Sequence, residues 1–390
     1  MKQINLRLER LQQISVIAGT FFLVLSGIGL AVEKHEFFIA WLFAFVFWIS
    51  LSLGCLLVAM IHYLTGGCWG NPTRRFFEAG YMTLPLMALF FIPILFGLPE
   101  LYPWARPAQV ANDTILQQKV SYENALAFFS RAVFFFSAWI LLAAYLRKWS
   151  LQQDDTPHTE RITGMRALSG PGIVIVPFTI TFAFIDWVMS MEPAWFSTVF
   201  GVILLAGQVL VAFAFATILL AWLRRVAPFQ NVVEMENFHS LGNLLLTFVM
   251  FWTYVTFSQL LIIYSGNQPH EIDWYLHRIA GDWKWLVGAI ALFHFFAPFL
   301  LLLFRANSQS ATRLTVIAGL IFFTFILEVF WLIVPTFYPA IRLHWTDFTA
   351  WAGIGGIWLG VFARNLKRHP LLARNDPRME NSAIQSAHAE

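Results

Sequence analysis

Uninterrupted apolar runs of about 20 residues recur from one end of this chain to the other, each long enough to cross a bilayer as a helix. A lipid-embedded segment has to satisfy its own backbone polar groups, and an isolated run can do so only as a helix. Transmembrane β-strands would be about half as long and would alternate in polarity, a pattern missing here. Hydrophobic residues make up 58% of the chain and charged ones 12%, against roughly a quarter charged in a soluble domain. The fold class is all-α, a polytopic membrane protein.

Ten spans are predicted. The first five run about Ile14–Val32, Phe37–Leu64, Phe76–Phe96, Ala125–Leu146 and Leu168–Met191. The second five run about Phe196–Leu223, Phe238–Ile263, Trp283–Phe304, Leu314–Val334 and Asp347–Leu366. The first run, with a long segment before it, is read as an uncleaved span rather than a signal peptide. Residues 1–369 form one integral membrane domain, and 370–390 a polar, disordered cytoplasmic tail. The Pro- and Trp-rich connection Gly97–Asn124 is expected to lie on the membrane surface or on a partner.

Lysine and arginine set the orientation. The N-terminus, the loops after spans two, four, six and eight, and the C-terminal tail carry eighteen of them, while the opposite loops carry six. Both termini are therefore expected in the cytoplasm. A net charge of +3 gives no indication of nucleic-acid binding. Cys55 and Cys68 are too few for a cluster or a zinc site, and nucleotide-binding and zincin motifs are missing. No CxxCH motif occurs, and only His62 and His239 match in depth, so this chain is not expected to bind haem.

Position along a span converts to depth at about 1.5 Å per residue. On that scale His62, Glu78 and His239 form an inner set, His294 sits near the middle, and Asp186, Glu192 and Glu328 form an outer set. Span seven carries a polar stripe of His239, Asn243, Thr247, Tyr254 and Ser258, with Gln259 beside its end. Ionisable side chains inside a membrane are costly and mark working sites by default. The expected proton path comprises Asp186, Glu328, His294, His239, Tyr254, Ser258, Thr247, Asn243, His62 and Glu78. Glu192, Trp195, Gln259 and Trp331 are candidates for a quinol site or an interface. The less specific reading is that serine and threonine hold helices together, and that Glu192 sits in the first turn of span six. Pro298, four residues after His294, is expected to free the carbonyl of residue 294.

Four segments carry a resemblance. They are DWVMSMEPAWFSTVFG (Asp186–Gly201), HYLTGGCWG (His62–Gly70), FHSLGNLLLTFVMFWTYVTFSQLLIIYSGNQPHE (Phe238–Glu271) and HFFAPFLLLLFR (His294–Arg305). In order and spacing they resemble the ActF subunits of alternative complex III, a bacterial quinol:cytochrome c oxidoreductase. Asn243 stands where that family has a lysine, and His270-Glu271 where it has two glutamates. The resemblance implies an NrfD-like fold of two four-helix bundles (spans two to five and six to nine) with two peripheral helices. It implies an inner-membrane subunit without a redox centre, contributing a proton path and part of a quinol or quinone site. Haem and iron–sulfur clusters would lie in partners: an NrfD-like subunit, an iron–sulfur protein and a multihaem cytochrome. The alternatives are a stand-alone ion or solute transporter and a purely structural scaffold.

Overall fold

In the computed structural model residues 2–155 and 159–373 are described, and among them the secondary structure is helical throughout, without strands. Most of the expected polar tail lies outside the described residues. The long helices are α1 (Lys2–Val32), α2 (Lys34–Thr65), and α3 (Gly70–Tyr81) running on as α4 (Leu84–Phe96). Three short helices follow: α5 (Leu98–Leu101), α6 (Pro107–Asn112) and α7 (Thr114–Lys119). Then come α8 (Ala125–Asp155), α9 (Thr159–Trp187), α10 (Phe200–Leu223), α11 (Met235–Gly266) and the short α12 (Pro269–Ile279). The next span is composite: α13 (Trp283–Ile290), a π-helical turn at Ala291–Phe296, and α14 (Ala297–Leu303). The chain closes with α15 (Arg305–Ser308), α16 (Ala311–Ile333) and α17 (Trp345–Lys367).

Nine helical segments among the described residues are long and apolar enough to cross a membrane. The tenth expected span forms as α17, but Gly353, Gly355, Gly356 and Gly360 dilute its apolar character. Those glycines serve close packing. A Cβ on Gly356 would lie 2.5 Å from Gly19 Cα, and one on Gly355 would lie 2.1 Å from the Trp48 ring, so α17 presses directly on both α1 and α2. Small residues bringing backbones together are the usual basis of helix association where lipid competes equally for apolar side chains.

The helices sort into two rings. α2, α3–α4, α8 and α9 form the first bundle, and α10, α11, α13–α14 and α16 form the second. α1 and α17 pair outside them and lie along α2. α2 is apolar around its whole circumference and is buried from Phe37 to Met60, as expected of a helix with no solvent- or lipid-facing side. The bundles meet where α2 crosses α10. A Cβ added at Gly54 would stand 2.0 Å from the backbone oxygen of Gln208. Gly54→Leu should therefore lower stability by about 3 kcal/mol, read as a drop in thermal midpoint in detergent. Gly319→Ala, with nothing within 4 Å, should leave the midpoint unchanged.

One expectation about the loops is corrected. The connection after α4 folds back on the chain's own first bundle. Tyr102 OH donates to the Trp187 carbonyl (2.9 Å), Trp104 Nε1 to Ser190 Oγ (3.1 Å), and Lys119 Nζ to the Pro193 carbonyl (2.7 Å). Tyr102 and Trp104, two of the aromatic groups that suggested the membrane surface or a partner, are buried inside the fold. α10 also begins at Phe200, so Glu192 lies in the connection before it rather than in its first turn.

Candidate functional site

At the end of the first bundle that carries the α2–α3 turn, Glu78 is completely buried and saturated. Its Oε1 accepts from Tyr63 OH (3.0 Å), Arg74 Nε (2.9 Å) and Ser150 Oγ (2.5 Å). Its Oε2 accepts from Arg75 Nη1 (2.5 Å) and from Arg147 Nη1. Arg75 reaches on to Asp154. Every position at which Glu78 could exchange a proton is filled by a strong donor, so the structure makes it a structural knot, not a step in a path. His62 beside it closes the α2–α3 turn. Its Nδ1 is 3.3 Å from the Gly66 carbonyl, its ring packs edge-on to Trp69, and Gly66 and Gly67 take φ of 74° and 106°. A Cβ on Gly70 would meet the imidazole at 2.0 Å.

Asp186 is likewise committed. Arg131 grips it from α8 with Nε at 2.7 Å and Nη2 at 3.0 Å, a bidentate pair. The guanidinium also stacks over Tyr122 at 3.8 Å. Burial and then the Asp186 charge push the Tyr122 phenol up to about 12, so it stays protonated. Thr179 and Ser190 of the same span serve as helix glue: Trp139 Nε1 donates to Thr179 Oγ1 (2.8 Å), and Ser190 Oγ donates back to the Asp186 carbonyl (2.5 Å).

The span-seven stripe is also corrected. The inward face of α11 is Leu241, Leu245, Val249, Trp252, Val255 and Gln259. Asn243, Thr247 and Tyr254 point away from the bundle, Tyr254 being 68% exposed, and Ser258 is half-buried. Thr247 donates to the Asn243 carbonyl at 2.8 Å, which removes the cost of facing outward. His239 pairs with Ser308 Oγ at 2.9 Å near the start of the helix. None of these residues joins the others in a continuous interior row.

The groups that do converge lie inside the second bundle. Glu328 (α16) and His294 (the π-helical turn) are buried with His294 Nε2 3.8 Å from Glu328 Oε2. Trp252 of α11 donates Nε1 to Glu328 Oε1 at 2.7 Å, and its ring centre is 4.3 Å from that of His294. Glu328 Oε2 and both His294 nitrogens have no hydrogen-bond partner among the described residues. Gly207 of α10 faces that oxygen without a side chain: a Cβ there would lie 3.8 Å from it. The π-helical turn precedes Pro298, whose ring forbids a regular α-helical turn. Thr324 Oγ1 lies 3.3 Å from the Phe293 carbonyl, while its closer acceptor is the Leu320 carbonyl of its own helix. The imidazole is left without a hydrogen-bond partner among the described residues. A carboxyl and an imidazole at this distance can hold a proton on either partner and exchange it through one intervening water.

A polar cover closes the α12 end of this bundle. Arg278 pairs with Glu192 Oε1 (2.6 Å) and donates from Nη2 to the Leu332 carbonyl (3.1 Å) and Thr336 Oγ1 (2.8 Å). Its guanidinium lies 3.9 Å from the centre of the Trp274 ring, which stacks on Trp195 at 4.3 Å. Burial draws the Arg278 guanidinium below its ordinary pKa, with the Glu192 charge opposing. Trp331, three residues beyond Glu328, donates Nε1 to the Arg278 carbonyl at 3.0 Å. Glu192, Trp195 and Trp331 therefore assemble as one cover, and Gln259 is buried on the inward face of α11.

Sequence reasoning missed Trp252, Arg278, Arg131 and the arginines around Glu78. Trp252 is one tryptophan among seventeen and gave no signal. Arg131, a lone charge within an apolar run, gave one. Among the described residues no three His, Cys, Asp or Glu side chains come together as metal ligands. No protein-family model and no curated protein matches the chain. The helices define its class, an all-α polytopic membrane protein.

Proposed function

We propose that this chain is an integral subunit of a bacterial quinol:electron-acceptor oxidoreductase of the alternative complex III type. It would lie in the inner membrane with both termini cytoplasmic, and the His294–Glu328 pair would relay protons released on quinol oxidation. The observation that carries this reading is the pair itself: two titratable side chains, buried together in a bilayer-spanning bundle, with three polar atoms lacking partners. At Glu78 and Asp186, by contrast, both carboxylate oxygens accept hydrogen bonds from neighbouring side chains. The resemblance to ActF supports the assignment through its segments. The Asp186–Gly201 signature supplies Asp186, Glu192 and Trp195 to three separate ties, and the His294 segment supplies the π-helical turn.

In this reading the electrons travel through partners, an iron–sulfur protein and a multihaem cytochrome beside an NrfD-like subunit. This chain supplies the proton route, with quinol approaching the second bundle near Trp252 and Trp331. Affinity purification from the native membrane in mild detergent tests it. Co-purification of a multihaem cytochrome and an iron–sulfur protein in fixed ratio, with reducible haem absorption, is the expected result. A chain that purifies alone and moves ions or solutes across liposomes by itself would refute the assignment.

A further inference from the structure

Where α10 hands over to α11, on the same side of the fold as the α2–α3 turn, a cavity of about 470 Å³ opens between the two helices. Arg224, Arg225 and Gln230 line it together with Val233, Met235 and Phe238. Its walls are fixed. Phe229, wholly buried, packs against Phe76, and Arg224 lies over the Phe238 ring at 5.8 Å. The two guanidiniums differ from those buried inside the fold, though not from exposed arginines such as Arg305 and Arg313. Arg74, Arg75, Arg131, Arg147 and Arg278 each meet a carboxylate, whereas neither Arg224 nor Arg225 forms an ion pair among the described residues. The nearby acids do not fill that role. The Glu234 side chain is occupied capping the first turn of α11, and Glu236 stands exposed beyond it.

We infer that this cavity binds a phosphate group, and that the bound species is the headgroup of an anionic phospholipid. Guanidinium planes match phosphate oxygens two at a time, and two adjacent arginines without counter-charge attract such a group strongly. Basic recesses between transmembrane helices at the cytoplasmic face hold lipid headgroups for this reason. The level is right as well. Trp222, one residue before α10 ends, is 40% exposed, the position an indole takes at the boundary between headgroups and acyl chains. Met235, 46% exposed, and Phe238 give the cavity an apolar wall.

Native mass spectrometry of the delipidated full chain, titrated with phosphatidylglycerol or phosphatidylcholine, tests this. Phosphatidylglycerol should bind at least about tenfold more tightly. Arg224→Gln with Arg225→Gln should weaken it about thirtyfold while leaving phosphatidylcholine unchanged. Arg364→Gln with Arg368→Gln, exposed at the same end but outside the cavity, should change neither. If the double variant misfolds, Arg225→Gln alone, an exposed side chain, should still cost about fivefold. Inorganic phosphate that binds with the same variant dependence and displaces the lipid would keep the anion site and assign free phosphate as its occupant. Equal binding of both lipids, or equal loss in both variant pairs, would overturn the inference.

Discussion

Glu78→Leu is expected to cost about 4 kcal/mol and to leave little folded protein in the membrane. The reason lies in the count of charges around one carboxylate: Arg74, Arg75 and Arg147 all meet it, inside a bundle where Glu78 itself is wholly buried. Removing the shared anion leaves guanidiniums facing one another at low dielectric, and α3 and α8 lose their main polar tie. Fluorescence-detected size-exclusion chromatography should show the monodisperse peak collapse. Glu9→Gln, at a pair of 3.5 Å between half-exposed side chains, should change nothing measurable. A Glu78→Leu protein with an unaltered peak and melting temperature would mean that the arginines are hydrated and the knot is incidental.

The second large effect is the reverse in kind. On the proposed function, Glu328→Gln should lower quinol-dependent turnover of the assembled complex about a hundredfold with stability nearly unchanged. Glutamine keeps the oxygen that accepts from Trp252 and fills the same volume beside Gly207. Only the capacity to take and release a proton is lost. Asp186→Asn should behave oppositely: it cuts a bidentate tie to Arg131 and so lowers stability, with little direct effect on turnover. The sequence alone treats these two acids as equivalent, and their partners separate them. Turnover and thermal midpoint measured side by side for both variants decide the matter. Loss of stability without loss of turnover at Glu328 would place it with Asp186.

The architecture was readable because membrane helices announce themselves by length. The predicted Phe76–Phe96 and Ala125–Leu146 runs reappear within α3–α4 and α8, whereas the pairing of the two peripheral helices implied by the resemblance, α1 with α17, was not foreseen. Local departures have local causes. The Pro193–Ala194 turn, and Ser197 accepting from the Val199 N–H, delay α10 to Phe200. Polarity read by depth found Glu328 and His294 but misjudged α11, since Thr247 can satisfy its hydroxyl on its own helix and so face outward cheaply. Counting arginines for orientation hid their second use. Arg74, Arg75 and Arg147 lie in the loops and helix ends that set topology and are also the partners of Glu78. Which charges meet depends on helix packing, and no spacing along one strand of sequence encodes it.

Redox-triggered infrared difference spectroscopy of the proposed complex is the most direct examination of the proposed His294–Glu328 relay. Addition of quinol should produce a change in the carbonyl stretch of a protonated carboxyl that shifts in heavy water and vanishes in Glu328→Gln. A spectrum identical in the wild-type and Glu328→Gln complexes would contradict it.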